Sequence, residues 1–207
     1  MNESSKKYFF YWQRVLDIAL VLMAGPIWLP LLLLLALLTY ADSGRPLFFR
    51  QVRMGFKQQP FTLIKIRTMV PGRAAPAAAL FAGWTYAADP RVTRLGKILR
   101  RYRLDELPQL FNVLRGEMSL VGPRPEPFEI AETLGRTITN YHCRHEVRPG
   151  LTGLCQLSPR YIDIGTIEKS AAKLLLDLEW VAQPSIISYL SILLRTVKVV
   201  IAGVGIA

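Results

Sequence analysis

Between Ile18 and Ala41 the chain carries no charged residue, and prolines stand at 26 and 30 within that stretch. A membrane-crossing helix needs only ~20 apolar residues, so the run is long enough to cross a bilayer. A cleaved signal peptide fits poorly: the apolar run is too long and opens on Asp17. A simple span is expected to carry its Lys/Arg excess on one side. Here both flanks are basic, with Lys6, Lys7 and Arg14 before and Arg45, Arg50 and Arg53 after. Pro26 and Pro30 each remove a backbone donor and crowd the carbonyl four residues earlier. Two readings stay open on these grounds: a kinked span, or a re-entrant hairpin that dips into one leaflet and returns.

Composition narrows the partner. The 207 residues hold 26 Lys and Arg against 15 Asp and Glu, a formal charge of +11. That excess calls for an anionic partner: nucleic acid, membrane surface or phosphorylated substrate. The hydrophobic fraction of 51% favours the membrane surface. No nucleic-acid reader motif and no aromatic platform interleaved with the cations is present. Cys143 and Cys155 do not make a disulfide framework. His142-Cys143-Arg144-His145 lacks a second ligand pair at zinc spacing and reads as local packing. Gly150, Gly153 and Gly165 form neither a Walker nor a dinucleotide motif.

Past the apolar run, residues 46–53 and 60–69 read as two short strands around Gly55, with Lys65 and Arg67 alternating against Ile64 and Ile66. Residues 71–88, rich in Pro, Gly and Ala, read as a loop. Asp89-Pro90 is expected to open a basic amphipathic helix with a stripe of Val92, Leu95, Ile98, Leu99 and Tyr102. Such a helix can lie on an anionic membrane or simply solvate its charges. A further helix is expected over 126–146, with Glu126, Glu129 and Glu132 outward. Ordered loop follows over 147–160, then helices over 166–181 and from Pro184-Ser185 onward.

The chemistry-bearing stretch is Leu104-Asp-Glu-Leu-Pro-Gln-Leu110, followed by Gly116 and by Gly122-Pro-Arg-Pro125. Taken alone, Asp105 and Glu106 are a common helix-start pattern. Their neighbours alter that reading. Arg100, Arg101 and Arg103 precede them, Arg124 is fixed between two prolines, and Arg148-Pro149 and Pro159-Arg160 present further cations. Rigidly held arginines suit bidentate phosphate recognition, and an ionised carboxylate can bind Mg²⁺ or attack phosphorus. Asp17 and Arg14 are expected to pair three residues apart.

These blocks, together with Arg14-Val-Leu-Asp17, Pro46-Leu-Phe-Phe-Arg-Gln51, Ile64-Lys-Ile-Arg-Thr-Met69, Asp89-Pro-Arg-Val-Thr93, Met118-Ser-Leu-Val-Gly-Pro-Arg-Pro125 and Arg148-Pro-Gly-Leu-Thr-Gly153, are similar to the bacterial sugar transferases. The chain resembles their small single-domain members, the monotopic phosphoglycosyl transferases, over nearly its whole length. The resemblance implies a mostly helical α+β fold: a re-entrant membrane helix hairpin over 1–41, and a cytoplasmic, membrane-associated catalytic domain over 42–207 with a short β-hairpin and amphipathic interfacial helices. It implies transfer of a phosphosugar from a UDP-sugar to polyprenyl phosphate, with release of UMP and a requirement for Mg²⁺, on the cytoplasmic face of the bacterial inner membrane. Anionic membrane lipids are the further partner it implies. Asp105 takes the place of the nucleophile and a Mg²⁺ contact, and Glu106 that of its helper. Arg100 and Arg124 match cations at the phosphate site, and Arg160 one near the substrate. Lys65, Arg67 and Arg148 lie in matching blocks without an assigned role. Two departures stand out. The usual Ser-Pro of the hairpin break is Leu29-Pro30 here, and a usual Asn-Gly-Arg is Ser158-Pro159-Arg160. The competing reading is a non-catalytic basic scaffold on anionic lipids, which needs the cationic helices but neither acid.

Overall fold

Two long helices open the chain, and a single residue separates them. α1 spans Glu3–Met23 and α2 spans Gly25–Ser43, with Ala24 between. The computed structural model describes residues 3–70, 89–158 and 167–203. The break falls six residues earlier than Leu29-Pro30, and α2 continues through Pro30. Pro26 accounts for this, because it lacks the N–H that would continue α1 onto the Leu22 carbonyl. Trp28 Nε1 donates to the Val21 carbonyl across the break at 3.0 Å.

Each helix buries one stripe. On α1 it is Phe9, Gln13, Asp17 and Val21, and on α2 it is Gly25, Trp28, Leu32, Leu35, Ala36 and Thr39. The other face of α2 leaves Ile27, Leu29, Leu33, Leu34, Leu37 and Leu38 exposed, a far wider apolar surface than a soluble domain tolerates. Both ends of the apolar stretch are tied to the body of the protein. Gln13 donates to Ser119 Oγ and the Val121 carbonyl, at 2.6 and 2.8 Å. Asp17 accepts from the Leu120 N–H and the Tyr189 hydroxyl, at 3.1 and 2.8 Å. Arg14 does not pair with Asp17 as the spacing suggests; its guanidinium donates to the Val113 and Leu114 carbonyls. At the far end Arg67 donates to the Ser43 and Gly44 carbonyls, both at 2.8 Å.

The rest is mostly helical α+β. β1 (Phe48–Met54) and β2 (Pro60–Ile66) form an antiparallel hairpin whose turn holds Lys57 and Gln58 in the left-handed region. α3 is shorter than expected, Arg94–Arg101. Pro90 and Arg91 form a turn closed by the Val92 N–H on the Asp89 carbonyl, Val92 then bridges to Met69, and the helix starts only after Thr93, whose hydroxyl caps it. Asp89 instead grips Arg91 at 2.6 Å. A 3-10 turn at Leu104–Glu106 leads into α4 (Gln109–Arg115), stopped by Gly116 at φ +82°. β3 (Ser119–Val121) pairs in parallel with β4 (Gly150–Thr152), two strands the sequence reading missed. Between them lie α5 (Phe128–Thr137) and a 3-10 stretch at Tyr141–Glu146. α6 (Leu154–Leu157), α7 (Ile167–Ala182) and α8 (Ile186–Ala202) are the remaining elements among the described residues. The expected loop over 71–88 lies outside the described residues.

Among the described residues, one of three buried clusters joins β2, α3 and α4 to α1 and α2. Val21, Trp28, Leu32 and Leu35 pack with Phe61, Leu63 and Ile66 of β2, Leu99 of α3, Leu110 and Val113 of α4, and Met118 and Leu120. The β3–β4 crossing is held open by glycine. A Cβ on Gly122 would sit 2.5 Å from the Arg148 carbonyl oxygen, and one on Gly153 would sit 2.3 Å from the Gly122 carbonyl oxygen. Gly122→Ala is therefore expected to lower stability by at least ~2 kcal/mol. Chemical denaturation in detergent checks it, and an unchanged midpoint would contradict the close approach.

Candidate active site

The 3-10 turn brings Asp105 and Glu106 under cover, each only 7% exposed. Two adjacent buried carboxylates demand compensation, and three elements supply it. Lys65, on β2, places Nζ 2.8 Å from Glu106 Oε1. Arg124, on the turn after β3, places Nη2 2.8 Å from the same oxygen. Arg100, from the last turn of α3, donates through Nε to Thr68 Oγ1 at 2.8 Å and faces Asp105 electrostatically.

The two acids are not equivalent. Burial opposes ionisation of Glu106, but Arg124 and Lys65 outweigh it and hold the carboxyl well below the usual range. Burial pushes Asp105 up, and Lys65, Arg100 and Arg124 offset this only in part, while Glu106 adds to it. Glu106 is thus a fixed anion. Asp105 is the more basic carboxylate, and among the described residues its oxygens accept no hydrogen bond. A basic, unshared carboxylate ringed by cations is suited to attack on an anionic centre.

Of the residues singled out in the sequence, the structure gathers Asp105, Glu106, Arg100 and Arg124, and brings to them Lys65, which had no assigned role. It does not gather Arg67, whose guanidinium caps the end of α2, 2.9 Å from Ser43 Oγ. Arg148 also lies elsewhere, donating to the Gly116 carbonyl at 2.9 Å with its guanidinium over the Phe56 ring. Arg160 lies outside the described residues. Glu126, expected outward, is buried and 2.6 Å from Lys173. His145, packed on Tyr141, is kept neutral; burial and then Arg144 push its pKa down to about 3.

Asn112 was missed. It is fully buried on α4, and its amide stitches that helix to the strand carrying Lys65. Nδ2 donates to the Thr62 carbonyl at 2.8 Å and to Glu117 at 2.6 Å, while Oδ1 accepts from the Ile64 N–H at 3.3 Å. The side chain occupies the free edge of β2 as a neighbouring strand would. That sets the register between Lys65 and the turn bearing Glu106. An asparagine inside the apolar run Leu110-Phe111-Asn112-Val113-Leu114 was the available signal.

An unequal acid pair among fixed cations, on a core shared with α1 and the apolar α2, is an arrangement suited to phosphorylated ligands. The bacterial sugar transferase family model matches residues 8–203, and the chain belongs to that family. It is 40% identical over 185 residues to a UDP-glucose:undecaprenyl-phosphate glucose-1-phosphate transferase of Caulobacter vibrioides, covering 89% of this chain and 68% of that one. It is 35% identical to a UDP-N-acetylgalactosamine-undecaprenyl-phosphate N-acetylgalactosaminephosphotransferase of Aeromonas hydrophila, over 93% of this chain but 44% of the other. It is 37% identical to the exopolysaccharide production protein PSS of Rhizobium leguminosarum bv. phaseoli, over 89% and 92% of the two chains. The chain thus spans about two thirds of the first, under half of the second and nearly all of the third.

The Glu126–Lys173 pair makes a pH prediction. Burial raises the Glu126 pKa, but Lys173 and Arg144 outweigh it and bring it down to about 2. A depressed carboxyl stabilises the fold above its unfolded value, near pH ~4.3, and loses that contribution as pH falls through the folded value. Lys173→Met should therefore lower the melting temperature at pH 7. The gap to the parent should close as pH drops from about 5 towards 2. A gap independent of pH would refute the pairing.

Proposed function

We propose that the chain transfers a sugar 1-phosphate from a UDP-sugar to undecaprenyl phosphate or a similar polyprenyl phosphate, through a covalent intermediate on Asp105. The observation that carries this reading is the inequality of the acid pair: a basic, unshared Asp105 beside a Glu106 already bound by two cations. The names of the relatives supply the donor and acceptor classes.

In the first half-reaction an Asp105 oxygen forms a bond to the β-phosphorus of the UDP-sugar. The bond from that phosphorus to the bridging oxygen breaks, and UMP leaves with the electron pair. In the second, an oxygen of polyprenyl phosphate attacks the same phosphorus. The Asp105 carboxylate is released, and a polyprenyl diphosphate sugar forms. Arg124 and Arg100 bear on the charge of the diphosphate. Lys65 balances the carboxylates as charge moves off Asp105. Glu106 orients Lys65 and Arg124; so strongly ionised an acid makes a poor proton acceptor, which argues against a general-base role.

Mg²⁺ suits this site. Among the described residues no group of three or more His, Cys, Asp or Glu gathers, but Mg²⁺ needs only one or two carboxylates when substrate oxygens and water complete its shell. Asp105 has the unspent oxygens for that contact. When bound, the ion would neutralise diphosphate charge.

The apolar α2 supports a site for this chemistry at a membrane. α2 is long and apolar enough to cross one, at a mean hydropathy of 1.6. We take α1 and α2 as a re-entrant hairpin, with the rest of the chain on the cytoplasmic face. The support is that Gln13, Arg14 and Asp17 at one end, and Ser43 and Gly44 at the other, are bonded to the same charged body. α8 adds a stripe of Ile187, Leu190, Leu194, Val197 and Ile201, all exposed, with Arg195 and Lys198 nearby in sequence, as an interfacial helix has.

Purified protein in detergent, given Mg²⁺ and a panel of UDP-sugars, should release UMP in proportion to polyprenyl phosphate, and about one UMP per enzyme without it. Asp105→Asn should lose both while keeping its melting temperature; retained turnover in that variant would end the nucleophile assignment. For topology, single cysteines at Ser4 and Asp42 in a Cys143→Ser background should both react from the cytoplasmic side. Labelling from opposite sides would establish a span.

A further inference from the structure

Arg124 reaches Glu106 from a turn whose carbonyls, from 123 to 126, all accept hydrogen bonds. The Gly150 N–H donates to the Pro123 carbonyl at 2.8 Å, and the Met54 N–H donates to the Glu126 carbonyl at 3.1 Å. Arg53 Nη1 donates to the Pro125 carbonyl at 2.9 Å. The Arg124 carbonyl itself accepts from Arg144 Nη2 at 2.8 Å.

Arg144 is 3% exposed, and its charge is balanced from elsewhere. Nη1 donates to the Tyr141 hydroxyl at 2.7 Å, and Nη2 lies 2.7 Å from Asp177 Oδ2, also 3% exposed. Asp177 is on α7, one turn after Lys173, which holds Glu126 at 2.6 Å. Two ion pairs from one helix thus grip the two ends of the Arg124–Glu126 stretch. Buried pairs are an inefficient source of stability, since apolar side chains of similar volume often serve as well or better. Arg144 contacts neither acid; its link to them is the hydrogen bond to the Arg124 carbonyl.

We propose that the buried Arg144–Asp177 pair is a positioning device, which fixes the Arg124 backbone so that its guanidinium meets Glu106 at the site of transfer. Arg144, Tyr141 and Asp177 are positioning residues; none contacts the acid pair. The proposal rests on the reaction proposed above.

The test replaces the whole device with apolar groups, Tyr141→Phe, Arg144→Met and Asp177→Leu together, which leaves no buried side-chain charge or hydroxyl of the device unpaired. The melting temperature should stay within a few degrees of the parent. The kcat/KM for UMP release should fall on the order of 10- to 100-fold, as for a misplaced catalytic group. Combined with Arg124→Lys, the total loss should be much smaller than the product of the two losses, because both act on one group. NMR of the arginine side chains, with the Arg124 signal assigned by its absence in Arg124→Lys, should show Arg124 losing its protection from exchange in the apolar variant. Parental kcat/KM in the folded variant, a fully multiplicative loss, or an unchanged Arg124 signal would each overturn the proposal. Should the triple variant fail to fold, Arg144→Lys, which keeps the charge but not the paired donors, is read by the same three measurements. A parent that releases no UMP from any UDP-sugar sinks the reaction, while the NMR arm still decides the positioning.

Discussion

Two adjacent carboxylates cannot be buried without cations brought to them, and much of this fold can be understood as meeting that requirement. Lys65 comes from the β-hairpin, Arg100 from α3 and Arg124 from the turn after β3. Each lies on an element with its own reason to be in place. β2 is held to α4 by the Asn112 amide. α3 is seated on the strand extension at Thr68, where a Cβ on Gly96 would meet the Thr68 carbonyl oxygen at 2.2 Å. The Arg124 turn is fixed by glycine contacts at β3–β4 and by α7. The outcome is an uneven division of charge. Glu106 takes two of the cations by direct contact, and among the described residues the Asp105 oxygens stay unshared.

What could be read from the sequence follows from range along the chain. The apolar helices, the β-hairpin, α7 and α8 are signalled by local pattern, and α8 even by its Ser185 cap. The acid pair and Arg100 were legible because arginines cluster within a few residues of the pair, and Arg124 because prolines flank it. Partnerships across the chain were not. Arg67 and Lys65 look alike in the alternating strand, yet Lys65 turns to Glu106 and Arg67 to the end of α2. The same holds for Glu126, whose helical spacing suggested an outward face. It is buried because Lys173, 47 positions away, neutralises it. The Asp89 cap failed for another reason: a bridge between Val92 and Met69 outweighed a local helix-start signal. β3 and β4, at three residues each, are too short for alternation to show.

The break between α1 and α2 falls where the first of two prolines stops the helix. With Pro26 four residues before Pro30, the first proline already interrupts the ladder, so the turn forms at Ala24. The second then sits inside α2, where its missing donor leaves the Pro26 carbonyl without its helical partner. In water that carbonyl would be solvated; in an apolar setting it must be met by a neighbour or by a local adjustment of the helix. No serine stands at position 29 to supply such a partner, so the chain depends on geometry rather than on a side-chain hydroxyl at this point.

α4 links these two halves of the molecule. It begins three residues after Glu106, and its body is packed into the apolar helices: Leu110 and Val113 share a core with Val21 and Trp28, and Phe111 meets Trp28 edge-on at 5.1 Å. Arg14 closes its far end by binding the Val113 and Leu114 carbonyls. The acid pair therefore cannot move relative to α1 and α2 without breaking α4 from both. On the proposed topology this rigid link sets the height of Asp105 above the hydrocarbon. A lipid phosphate has little freedom in depth, since its chain stays in the bilayer and its charge stays out. On that reading, an Asp105 nucleophile held at one depth by a short buried helix would meet that phosphate without searching for it, which gives a physical reason for the large exposed apolar face of α2.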